Sequence, residues 1–143
     1  MLQGKIMHDA NRILRKSLEG RLKNASANMQ AAKSRIGDHD YRRAVQFAAK
    51  ACIIDEHNIE ARYIKGFCHQ ILGEFTKAAD TYRKIISMIP GSAVAHLYLA
   101  DCLQKAGRPE EAIQYYLESM DLDCDGDVRE LAMESVVMLK ESL

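Results

Sequence analysis

The sequence predicts an all-α protein, a stack of three helical hairpins with one further helix at each end, and three observations carry that reading. Small residues recur at a fixed 34-residue step, with Ala44, Ala78 and Ala112 in one series and Ala32, Gly66 and Ala100 in another. Each copy holds two short stretches of helical apolar periodicity, parted by turn residues such as Gly73 or Ala106-Gly107-Arg108-Pro109. Composition agrees: 48% of the 143 residues are apolar, 28% are charged and two are proline, as suits one helix-rich globular domain. A hairpin of this kind cannot bury its apolar stripe alone, so the copies must stack.

In chain order, residues 5–22 read as an N-terminal amphipathic helix. Met7, Ala10, Leu14 and Leu18 share one face with Ile6 and Ile13 beside it, while Arg12, Arg15, Lys16 and Arg21 fall largely elsewhere. It is expected to cap the first hairpin, and its basic residues leave open a partner or a membrane surface. The first repeat spans 25–58; its second helix begins near Tyr41 and carries Ala44, Ala48, Ala51 and Cys52, a small-residue face that admits a close neighbour. The link Ile36-Gly37-Asp38-His39-Asp40 is a helix stop followed by an N-cap at Asp40. In the second repeat, 59–92, Gly66 stands where the two helices touch and Gly73 ends the first of them. Its second helix runs from about Phe75 to Met88 and is stopped by Pro90-Gly91. The third repeat, 93–126, turns at Gly107 and starts its second helix at Pro109, where a missing N–H costs nothing.

A last helix over 127–141 places Val128, Leu131, Ala132, Ser135, Val136 and Leu139 on one stripe, which should close the stack. Met133, Val137 and Met138 lie off that stripe, so the far side is partly apolar. Either the N-terminal helix clasps it or a subunit contact covers it.

Net charge is zero but unevenly spread. Residues 1–50 hold eleven Lys/Arg against four Asp/Glu, residues 51–100 five of each, and residues 101–143 four against eleven. The sequence shows no apolar run near the roughly 20 residues that span a bilayer and no signal-like apolar core, which makes a cytoplasmic setting the expectation. Four widely spaced cysteines with no CxxC pair read as small buried residues.

No complete site of chemistry assembles in the sequence. Asp121-Leu122-Asp123-Cys124-Asp125-Gly126 resembles the opening of a calcium loop, but Ala132 stands where its bidentate glutamate belongs. Cys68 and Cys102, with His69 and His96 near, lack zinc-like spacing. No nucleotide-binding, metalloprotease or hydrolase motif occurs, so neither a cofactor, a metal nor catalysis is expected. The acidic C-terminal third argues against nucleic acid.

The period of 34, with small residues at Ala32/Gly66/Ala100 and Ala44/Ala78/Ala112 and large ones at Tyr41/Phe75, Tyr82 and Tyr116, resembles the tetratricopeptide repeat. The chain departs from that pattern at Asn28, Arg62 and His96, where a large residue is usual, and at Ile85, where a small one is. The resemblance implies a right-handed superhelix, an α-solenoid, whose first helices line a groove for an extended or helical segment of another protein. Carried over position by position, the groove residues are Met29, Lys33 and Ile36, then Tyr63, Phe67 and Gln70, then Val94, Leu97, Asp101 and Gln104. The two-carboxylate clamp of some family members is missing, since its positions hold Met29, Lys33, Ile64, Val94 and Tyr98. Segments around AKACIIDEHNIEARYIKGFCHQILGEF, YLADCLQKAGRPEEA and VRELAMESVVML are similar to the class II chaperones of type III secretion, which hold hydrophobic translocators. The function implied is a non-enzymatic chaperone or assembly adaptor; the alternative is a self-associating scaffold.

Overall fold

The computed structural model describes residues 2–123 and 126–143, whose regular elements are all α-helices. These are α1 (Leu2–Gly37), α2 (Tyr41–Ile54), α3 (Ile59–Ile71), α4 (Phe75–Met88), α5 (Ala93–Lys105), α6 (Pro109–Leu122) and α7 (Asp127–Ser142). The second helices of the hairpins, α2, α4 and α6, are each 14 residues long, and each starts 34 residues after the one before. Helices α3, α5 and α7 keep the same step, so α7 takes the place of a first helix in a fourth repeat.

Local chemistry sets these boundaries. Asn58 and Ser92 cap α3 and α5 by accepting from the N–H of Ala61 and Ala95, and Asp40 caps α2 through Arg43 N–H. The first helix of each hairpin closes in the same way: the N–H groups of Asp40, Glu74 and Arg108 reach back to the carbonyls of Arg35, His69 and Leu103. That turn needs a left-handed residue. Gly73 and Gly107 supply it at φ 75° and 79°, and in the first repeat His39 takes it at φ 58°.

The N-terminal region departs from expectation. Residues 5–22 and the first helix of repeat one are a single helix, α1, of 36 residues. Asn24 sits one repeat before Asn58, where a cap would start a new helix, yet Arg21-Leu22-Lys23 offers none of the turn chemistry of Pro90-Gly91. The Asn28 amide donates to the Asn24 carbonyl inside the continuous helix. Nor does the N-terminal half cap the first hairpin or clasp α7. Residues 2–24 are exposed apart from a half-buried Asp9, and α1 packs on α2 and α3 only through its C-terminal half, with Arg21 donating to the Ile54 carbonyl at the border.

The core runs along the stack. Its main body joins Ala78, Tyr82, Ile85, Leu99, Leu103, Ala112, Tyr116, Ala132, Val136 and Leu139, while a smaller cluster of Met29, Ala51, Cys52 and Ala61 serves the first repeat. Ile85, large where the family is small, is fully buried in the main body. Gly66 explains why the aromatic at position 82 fits, because a Cβ there would lie 2.7 Å from Cζ of Tyr82. The last helix buries Ala132, Val136 and Leu139, whereas Leu131 of the expected closing stripe is exposed.

Candidate functional site

Helical spacing on α3, α5 and α7 builds one lining. Residues three, four or seven apart fall on a common face, and the 34-residue step brings matching positions of successive first helices side by side. Tyr63, Leu97 and Leu131 form one such row, and Phe67, Asp101 and Ser135 another. With Ile64, Gln70, Ile71, Val94, Tyr98, Lys105, Glu134 and Met138, and with Tyr82 and Tyr116 behind them, they enclose an apolar cavity of about 860 Å³. That is at the upper end of the roughly 300–1,000 Å³ of small-molecule sites, and large enough for side chains of a bound segment.

The walls are ordered by aromatic and polar contacts. Tyr98 packs on Tyr82 with ring centroids 5.4 Å apart and meets Tyr63 edge-on at 6.4 Å. The Tyr63 hydroxyl is 3.0 Å from Ser92 Oγ, which ties the wall to the cap of α5. Beneath, Tyr82 donates to Gln70 Oε1 at 2.6 Å, Gln70 Nε2 donates to Asp101 Oδ2 at 3.0 Å, and Lys105 Nζ donates to the same oxygen at 3.0 Å. Tyr116 repeats the first of these bonds with Gln104 at 2.8 Å. Burial raises the pKa of both phenols, Tyr116 to about 12, so they stay neutral donors. The floor is thus apolar with one polar strip, whose only carboxylate already has two donors.

The ten residues expected to line a groove divide. Tyr63, Phe67, Gln70, Val94, Leu97 and Asp101 line the cavity; Met29, Lys33, Ile36 and Gln104 do not. Met29 is buried in the first repeat's core, Lys33 pairs with Glu60 across α1 and α3, and Ile36 is half-buried. Phe67, edge-on to Tyr41 at 6.4 Å, stands at this border. The wall not anticipated is α7. Its signal is the step from Tyr63 to Leu97 to Leu131, while the sequence reading of 127–141 concerns closing the stack and a contact on its far side, not the groove.

The residues singled out for metal chemistry, Cys68, His69, His96 and Cys102, are all buried. Cys52, Cys68 and Cys102 are buried free thiols, and burial lifts Cys68 to about 11 and Cys102 to about 12, as for packing residues. Among the described residues no group of three His, Cys, Asp or Glu side chains converges as a metal site would require. The calcium-like segment includes Cys124 and Asp125, which lie outside the described residues; Asp123 accepts from Arg129 N–H at 2.9 Å at the start of α7. Unusual residues of the repeats have internal work: Arg62 donates to the Glu56 carbonyl, and His96 is buried against Tyr115 with Nδ1 2.8 Å from the Ser92 carbonyl.

A family description, tetratricopeptide repeat, matches residues 70–119, from the end of α3 to α6. Together with the 34-residue step of the helices, this marks the fold as a tetratricopeptide-repeat stack. Solved tetratricopeptide structures superpose over most of the chain. A crystal structure of MamA matches with TM-score 0.76 at 22% identity, covering 92% of this chain and 75% of that one. The Yersinia enterocolitica type III secretion chaperone SycD, in complex with a peptide of the translocator YopD, matches with TM-score 0.75 at 18% identity, covering 82% and 92%. PcrH from Pseudomonas aeruginosa gives 0.75 at 14% identity, again over 82% and 92%. No curated protein matches the sequence. In tetratricopeptide terms the cavity is built on the first helices of repeats two and three and on α7, one repeat further along the stack than the expected groove. Among the described residues no helix is long and apolar enough to cross a membrane.

Proposed function

We propose that this tetratricopeptide protein is a non-enzymatic binding module that takes an apolar extended or helical segment of another protein into the groove formed by α3, α5 and α7. The observation that carries this reading is the exposure of large apolar side chains on that wall: Phe67 is 43% exposed, Val94 40%, Tyr98 40% and Leu131 55%. Scattered single apolar residues need no explanation, but these share one cavity, and a contiguous apolar patch marks an interaction surface. Aromatic side chains supply large contact area at low entropic cost, so Phe67 and Tyr98 act as anchors.

The finer reading is a chaperone for translocator subunits of type III secretion. It is supported by the similarity of three segments to that group and by the fold shared with SycD, which holds a translocator peptide in its solved complex. The missing carboxylate clamp, and a floor whose Lys105 is already paired with Asp101, fit an apolar ligand better than an acidic chain terminus. Co-expression with a membrane-active translocator subunit tests it: the subunit should become soluble in a stable complex. A subunit that aggregates equally with and without this protein would contradict the chaperone reading.

A further inference from the structure

The N-terminal half of α1 and the outer face of α7 are two exposed surfaces that the groove does not use. On α1, Ile6, Met7, Ile13, Leu14, Leu18 and Leu22 are all exposed, on a helix half whose contact with the rest of the described residues is that of Arg21. Most helical stability in proteins comes from packing an amphipathic face, so this apolar face calls for a cover. Residues 2–24 hold six Lys/Arg against two Asp/Glu, and α7 holds four Asp/Glu against two Lys/Arg.

The repeat step identifies the face of α7. On α5, His96, Leu99 and Leu103 are buried, with His96 against Tyr115 of the partner helix α6. Their counterparts 34 residues on are Glu130, Met133 and Val137, and all three are open in this structure, Met133 at 52% and Val137 at 50% exposure. This face therefore presents an apolar pair edged by carboxylates where a second helix packs in the preceding repeats. At about 1.5 Å per residue, residues 2–24 of α1, about 34 Å, are long enough to cover the 16 residues of α7, about 24 Å.

We propose that the N-terminal half of α1 from one copy docks on this outer face of α7 in the next, with Leu14 and Leu18 meeting Met133 and Val137 and the α1 bases meeting Glu130 and Glu141. The contact is head-to-tail: each copy carries one donor helix and one acceptor face, so association continues until a ring closes or the chain of copies ends. It leaves the α3–α5–α7 cavity open and does not depend on what that cavity binds.

Light scattering of the full chain and of two variants tests the arrangement. One variant, Leu14→Glu with Leu18→Glu, spoils the donor; the other, Met133→Glu with Val137→Glu, spoils the acceptor. All four side chains are exposed, and circular dichroism verifies that helicity is retained. The unaltered protein should gain mass with concentration and lose it at high salt. Each variant alone should be a monomer, and their equimolar mixture should stop at a heterodimer, since one intact donor meets one intact acceptor. A strict monomer at low salt would overturn the proposal. So would an acceptor variant that keeps the unaltered protein's mass, which would mean that α1 pairs with α1. Monomers that instead bind vesicles containing phosphatidylserine would assign the α1 face to a lipid surface and overturn it equally.

Discussion

Gly66 shows how one atom sets the spacing of a hairpin. Adding a Cβ there would bring it within 2.7 Å of Cζ and 2.9 Å of Cε1 of Tyr82, a ring that is 1% exposed and hydrogen-bonded to Gln70. Gly66→Ala should therefore destabilise the protein by about 1–3 kcal/mol through overpacking, outweighing the roughly 0.5–1 kcal/mol that alanine gains in a helix; urea unfolding measures the difference. The residue's role was legible from its place between Ala32 and Ala100, whereas His39 was not legible as a left-handed residue. The sequence around it offers Gly37 as the obvious stop, and only the 34-residue step from Gly73 points to position 39. His69 carries a pH prediction. Burial lowers its pKa below 6.5, outweighing the opposing pull of the Glu74 carboxylate at 3.4 Å, with Lys65 and Lys77 also disfavouring the charge. The unfolded chain then binds the proton more readily, so this stability is present above about pH 6.5 and is lost as pH falls through the lower folded-state value. The melting temperature should drop between neutral pH and pH 5, and His69→Gln should flatten that part of the profile.

At the scale of elements, the stack is unevenly filled. The first repeat is held by Ala44, Ala48, Ala51, Cys52, Met29 and Ala61, while the later repeats bury Tyr82, Ile85, Leu99, Leu103 and Tyr116. Apolar area stabilises by roughly 25 cal/mol per Å², so the alanine-rich end has less to hold it, and repeat stacks lose structure unit by unit. Amide hydrogen exchange should be faster in α2 and in the packed half of α1 than in α4, α5 and α6; equal protection along the stack would contradict this. The starts of the second helices were legible because Tyr41, Phe75 and Pro109 follow turn signals. The junction near Asn24 was not, since a cap residue acts only where the chain before it can leave the helix, and Arg21-Leu22-Lys23 favours staying in it.

For the whole molecule, the question is which three first helices form the working surface. The tetratricopeptide resemblance, carried over position by position, says which face of each first helix looks into the groove, so Tyr63, Phe67, Val94 and Leu97 could be named before the cavity was seen. It does not fix where along the stack that face stays open. Packing decides this: Met29 sinks into the first repeat, Lys33 is taken by Glu60, and α7 adds Leu131, Glu134, Ser135 and Met138 at the other end. The proposed role of this surface is to capture an apolar segment. Calorimetric titration with a synthetic amphipathic translocator peptide is the most direct measurement. Phe67→Ala combined with Tyr98→Ala should weaken binding by about 10- to 100-fold, since truncating hot-spot aromatics costs upward of about 2 kcal/mol. Ile53→Ala, at an exposed apolar residue outside the cavity, should leave it unchanged. Binding that is equally tight in all three proteins, or absent from the unaltered one, would contradict the claim.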